Sequence, residues 1–234
     1  MMLMTTEIQR IVFSESMKIA DLIDVNFKLL NVLSRLDISL GFGENTIMEV
    51  CERQGIDLKS FLLICNVYTY DGYIPSVELM SGADPATIVD YLHNSHSFYL
   101  LKEFTALEEE LKAMVEPCDT TQKKVVARFF SDYKAQVENH FEYEESVVFP
   151  YIRALMAGQR YASYSIEQFE ENHSNIDETL NDLKNIVMKY LPDTCDTVLR
   201  NQVLYRIYRL GEDLLKHTLI EDNILIPMVN KIEE

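Results

Sequence analysis

The apolar and polar positions divide the chain into two textures. In the first 80 residues the elements are short. Ile19 to Leu36 is amphipathic and predicts a helix. Gly41 and Gly43 mark a turn. Asn45 or Thr46 can cap a helix from Ile47 to Arg53, which Gly55 ends. A further helix is predicted from Leu58 to Tyr70, and Asp71, Gly72 and Pro75 break it, so that 71–84 reads as a linker. From Asp84-Pro85 onward the pattern becomes four long helical stretches. Pro85 suits a first helical position, and Pro117 stops the first stretch near Glu116. The second runs from about Thr120 to Ala157, before Gly158. The third starts near Ser165, with Gln168 in a capping-box position, and ends before Pro192. The fourth runs from about Thr194 to the end. The expected fold is all-α: a small helical domain over 1–80, then an up-down-up-down four-helix bundle over 85–234. Pro150 and Pro227 fall inside the second and fourth helices, where each is expected to bend its helix.

Composition agrees with helices. The 234 residues include only seven Gly and six Pro, with 47% apolar and 25% charged residues. The formal net charge of -17 gives no electrostatic reason to hold a phosphate backbone or an anionic membrane surface. Nucleic-acid and membrane partners are therefore not expected. The start of the chain lacks a basic region followed by a long apolar core, so no signal peptide is read. Cys51, Cys65, Cys118 and Cys195 are far apart and form no CxxC. They read as reduced thiols of a cytoplasmic protein.

One stretch changes the picture. His140 to Pro150, HFEYEESVVFP, recurs as His217 to Pro227, HTLIEDNILIP. In both, a His is followed four residues later by a Glu, which puts the two side chains on one helix face, one turn apart. Imidazole nitrogen with carboxylate oxygen is a donor mix that suits iron, and manganese or zinc as well. Prolines follow each motif Glu at the same distance.

The heights of the other histidines agree with a common layer. His96 lies 21 residues before Pro117, and His140 lies 21 after Asp119. At about 1.5 Å per residue both stand roughly 31 Å from their shared loop. His173 and His217 stand about 29 and 36 Å from the other loop. Four histidines from four helices thus reach nearly one level, with Glu144 and Glu221 a turn away. A single His-x3-Glu is an ordinary surface pair. Two copies with one His on each remaining helix point to a metal site. Four imidazoles and two carboxylates exceed one four-coordinate zinc and suit two bridged metals.

With these residues in place, the segment from about 85 to 234 resembles the hemerythrin-like (HHE cation-binding) domain. The N-terminal stretch IADLIDVNFKLLNVLSRLDISLGFGENTIMEVCERQGIDL narrows the resemblance. It is similar to the small helical domain that precedes the bundle in the repair-of-iron-centres (RIC) proteins. That family carries LDFCCGG where this chain has Leu36-Asp37-Ile38-Ser39-Leu40-Gly41-Phe42, so Ser39-Leu40 replaces an adjacent cysteine pair. The resemblance implies the ligands His96, His140, Glu144, His173, His217 and Glu221, holding two irons per chain bridged by an oxo group and by Glu144 and Glu221. It also implies a small ligand such as O2 or NO, iron-sulfur proteins as partners, a homodimer, and work in nitrosative or oxidative stress. Oxygen-carrying hemerythrins have a further His one turn after the third-helix His. That position is Asp177 here, against a plain oxygen carrier. His93 is expected behind the ligands or in the bundle interior. Glu145 and Asp222 read as solvated, or at best as partners behind the ligands. A second expectation is a binding or sensing module without turnover. No Ser-His-Asp or Cys-His arrangement and no phosphate-cradling Gly loop competes as a chemical site.

Overall fold

A computed structural model describes residues 13–160, 164–172 and 177–234. These residues are helical; among them no strand forms, and one isolated bridge joins Lys18 to Thr46. Contacts divide the chain into two compact units, Met1–Ile88 and Val89–Glu234. No helix among the described residues is long and apolar enough to cross a membrane.

The first unit packs α1 (Ile19–Val25), α2 (Leu29–Arg35), α3 (Ile47–Gln54) and α4 (Leu58–Thr69). The single helix expected over Ile19–Leu36 is two, because Asn26 closes α1 in an extended conformation and its side-chain oxygen accepts from the Lys28 N–H. Thr46, rather than Asn45, caps α3 in a reciprocal capping box with Glu49. Ile19, Leu22, Leu29, Val32, Val50, Phe61 and Ile64 are wholly buried. Each contributes on the order of 2 kcal/mol of transfer free energy. Cys51 and Cys65 are free and buried; burial pushes the Cys51 thiol up to about 12 and Cys65 well above its ordinary value. Neither is poised to react. Ser39 and Leu40 lie on the surface. The stretch expected as a linker carries α5 (Val77–Met80), and it is tied down where Ser60 Oγ donates to the Asp84 carbonyl and Lys59 Nζ to the Ser81 carbonyl.

The second unit is built from four rods, all but one of them interrupted by a single π-turn and the third described only in part. The first comprises α6 (Pro85–Phe98), a π-turn at Tyr99–Glu103 and α7 (Phe104–Met114). The second comprises α8 (Thr120–Tyr143), a π-turn at Glu144–Val148 and α9 (Phe149–Met156). Of the third, α10 (Ile166–Asn172), α11 (Asp177–Asn185) and a closing π-turn at Ile186–Tyr190 are described. The fourth comprises α12 (Thr197–Ile220), a π-turn at Glu221–Leu225 and α13 (Ile226–Glu233). Each rod touches its sequence neighbour, and the fourth returns to the first, which closes an up-down-up-down bundle. Its core follows a three-four spacing: Leu107, Leu111 and Met114; Val126, Phe130, Tyr133 and Val137; Val203, Ile207, Leu210 and Leu214.

Asp119 and Asp196 start the second and fourth rods by accepting from the N–H groups of Gln122, and of Val198 and Leu199. Immediately before these caps, Cys118 and Cys195 are joined in a disulfide, with Cα atoms 6.2 Å apart. The expectation of four reduced thiols therefore fails for these two. They are 77 residues apart in sequence, but the antiparallel rods bring their two loops to the same end of the bundle.

Arg206 fastens the fourth rod to the first. Its Nε and Nη2 donate to the two oxygens of Glu110, each at 2.8 Å, and Nη1 donates to Glu103 at 3.0 Å. This forked pair is partly buried, so it is worth more than an exposed one. Arg206→Met is expected to lower stability by about 1–2 kcal/mol, read as a lower urea midpoint at unchanged slope.

Candidate metal centre

Two of the predicted ligands come from rods where the helix changes pitch at the ligand itself. Glu144 and Glu221 each open a π-turn, and the N–H groups of Phe149 and Ile226 reach back five residues to their carbonyls. Pro150 and Pro227 follow one residue later. A proline lacks the N–H of a regular turn and its ring crowds the carbonyl four residues before it. The wider turn accommodates both problems. The prolines thus coincide with a local change of pitch at the two glutamates, beyond the bend expected of them.

The buried centre contains His96, Glu144, His217 and Glu221, with one ligand atom from each within 4.8 Å of all the others. Both carboxylates are fully buried, and the two imidazoles are 2% exposed. His96 Nε2 lies 2.9 Å from Glu144 Oε2 and 3.2 Å from His217 Nε2. His217 Nε2 lies 3.1 Å from Glu221 Oε1. His140 Nε2 is 2.9 Å from Glu144 Oε1, across one helical turn, but His140 stands outside the mutually close quartet. His173 lies outside the described residues.

Aromatic rings wall the centre. The His96 ring stacks on Phe141, with centroids 3.9 Å apart, and runs near-parallel to Phe149 at 5.5 Å. Tyr99, one turn beyond His96 and fully buried, meets the His217 ring edge-on at 5.9 Å. Phe141 and Phe149 had only their places beside the motif His and Pro to mark them, and such positions serve a core equally well.

Two groups stand behind a predicted ligand, one of the two places expected for each. His93 is about half exposed, not interior, and its Nδ1 lies 2.8 and 2.9 Å from the two oxygens of Glu145. Glu145 is not simply solvated: its Oε1 lies 2.7 Å from His96 Nδ1. The pairs His93 and His96, and Glu144 and Glu145, thus lock the first rod to the second. Burial alone would push the His96 imidazolium down, but the adjoining carboxylates of Glu144 and Glu145, with the charge of Glu221, carry it up to about 9. The Glu145 carboxyl is resisted by its partial burial and still held below its ordinary range by His96 and His93.

The donor set fits a cation. Glu144 Oε1 and Oε2 and His217 Nδ1 are buried without a well-formed hydrogen bond, and buried polar atoms left so are costly. Oxygen and imidazole donors without thiolate suit iron, manganese or zinc.

Comparison with known families agrees with this geometry. The pattern of the hemerythrin HHE cation binding domain matches residues 87–229. The chain belongs to this family of cation-binding domains. Among curated proteins none matches the chain.

Proposed function

We propose that the bundle holds a pair of irons between Glu144 and Glu221, with His96, His140, His173 and His217 as nitrogen ligands, and that it serves in nitrosative or oxidative stress. The observation that carries this reading is the buried quartet, in which two fully buried carboxylates face two imidazoles within 4.8 Å. Irons held there would supply a position for a small ligand such as NO or O2 and the electrons for its reduction. The chain's own residues would set the conditions. Glu144 and Glu221 supply negative charge without hydrogen-bond competition from solvent. Phe141 and Phe149 exclude water from the His96 ring, and Tyr99 from the His217 ring. The sequence resemblance of the N-terminal region to RIC proteins supports iron donation to, or repair of, iron-sulfur centres as the task.

A second reading, a module that senses NO, O2 or iron without turnover, is favoured by Ser39 and Leu40 at the place of the family's cysteine pair. The test starts with protein purified from iron-supplemented cells. About two irons per chain and near-ultraviolet bands of an oxo-bridged pair are expected. Sustained consumption of NO with a reductant supports turnover; uptake of NO that stops at saturation supports sensing. One zinc, or no metal, overturns the di-iron proposal.

A further inference from the structure

One imidazole of the centre is gripped from both sides by consecutive residues. Glu144 Oε2 lies 2.9 Å from His96 Nε2, and Glu145 Oε1 lies 2.7 Å from His96 Nδ1. Successive side chains on an α-helix diverge by about 100°. Both glutamates sit in the π-turn Glu144–Val148, where more residues share each turn and neighbours diverge less. Glu145 is itself held from outside by His93, whose Nδ1 is within 2.9 Å of both its oxygens. A chain therefore runs from a half-exposed imidazole, through a partly exposed carboxylate, to a buried ligand nitrogen. Among the described residues His217 has no such support, since its buried Nδ1 makes no hydrogen bond there.

We infer that Glu145 is a positioning residue for His96, clamped in turn by His93: it fixes the proton on Nδ1 and presents the Nε2 lone pair to the cation. A carboxylate accepting from the far nitrogen of a ligand imidazole sets ring orientation and raises basicity. The Phe141 ring, stacked at 3.9 Å, leaves His96 the freedom to slide within its plane, and the bond to Glu145 removes that freedom. The short Glu145 contact is spent on orientation rather than on coordination, because Glu145 is not part of the mutually close quartet.

This inference rests on the metal reading above, so the test separates the two. The probe is Co(II), titrated against a competing chelator into wild-type protein, Glu145→Leu, Glu145→Gln and His93→Ala, with visible absorption recorded throughout. Glu145→Leu is expected to weaken Co(II) binding by roughly tenfold to a hundredfold and to shift the visible bands. Glu145→Gln, the same length with an acceptor oxygen retained, is expected to recover part of that loss, and His93→Ala to cost less than Glu145→Leu. A merely structural role would move the metal-free melting temperature of both Glu145 variants and leave Co(II) affinity unchanged. That outcome overturns the inference while the metal site stands. Wild-type protein that takes up no Co(II) ends the metal reading itself, and the inference with it.

Discussion

Metal-free protein in which the whole quartet is replaced, His96→Leu and His217→Leu together with Glu144→Leu and Glu221→Leu, is expected to melt higher than metal-free wild type. Each glutamate is fully buried. Their neighbours are the imidazoles of His96, His140 and His217, at 2.9–3.1 Å. Burying two carboxylates and two imidazoles together costs desolvation that their mutual contacts offset incompletely. Leucine is of similar volume and has no polar atom, and replacing a buried charged set together is often stabilising by about 1–4 kcal/mol. For a chain of this size that is a rise of roughly 2–10 °C. With Fe(II) or Co(II) present the order should invert. A ligand at a thousand times its dissociation constant stabilises the folded state by about 4 kcal/mol, and only wild type can collect it. Thermal melts with and without a chelator read both signs. If the quadruple variant melts lower in the chelator as well, the quartet is a structural polar network, and the proposed centre loses its main support.

Reduction of the Cys118–Cys195 disulfide is expected to produce the other large effect. The bond closes a loop of 77 residues, so the unfolded chain loses much of its freedom when it is present. Loop-closure entropy of that length corresponds to about 4–5 kcal/mol, and native disulfides deliver roughly 2–5 kcal/mol in practice. Cys118→Ser should lower the melting temperature by about 5–15 °C, and a reductant should do the same to wild type but nothing further to the variant. Metal affinity should be unchanged, because by helical rise the site stands about 30 Å along the rods from these loops. A reductant that leaves the wild-type melt where it was would show that the two thiols are not paired in solution.

Much of this architecture was legible in the sequence because its signals are periodic. The three-four spacing of Leu107, Leu111 and Met114 or of Val203, Ile207 and Leu210 marks helices that share a core. The repeat of His140 and Glu144 in His217 and Glu221 marks a common layer, and the comparison with families agrees with a hemerythrin-like bundle. The pairing of Cys118 with Cys195 was hidden because spacing along the chain says nothing about which loops meet at one end. The break at Asn26 was hidden because amphipathic spacing carries across two short helices on one face. Glu145 was legible only as one of two alternatives. Successive side chains on an α-helix diverge by about 100°, so a place behind the ligands stood beside a solvated face. His173 lies outside the described residues.

The π-turns also change how these rods should be read. A π-turn adds a residue to its helical turn, so the positions before and after it belong to two different reading frames of the heptad. Val137 and Phe141 are counted in one frame; Ile152 and Leu155, also buried, are counted in another. The same break recurs at Glu221 on the fourth rod and at Tyr99 on the first. A register drawn straight through any of these rods mislabels its far end. The motif His therefore lies in the frame of the long helix, Pro150 and Pro227 lie in the frame of the short one, and the two proposed bridging glutamates are the residues at which the count restarts.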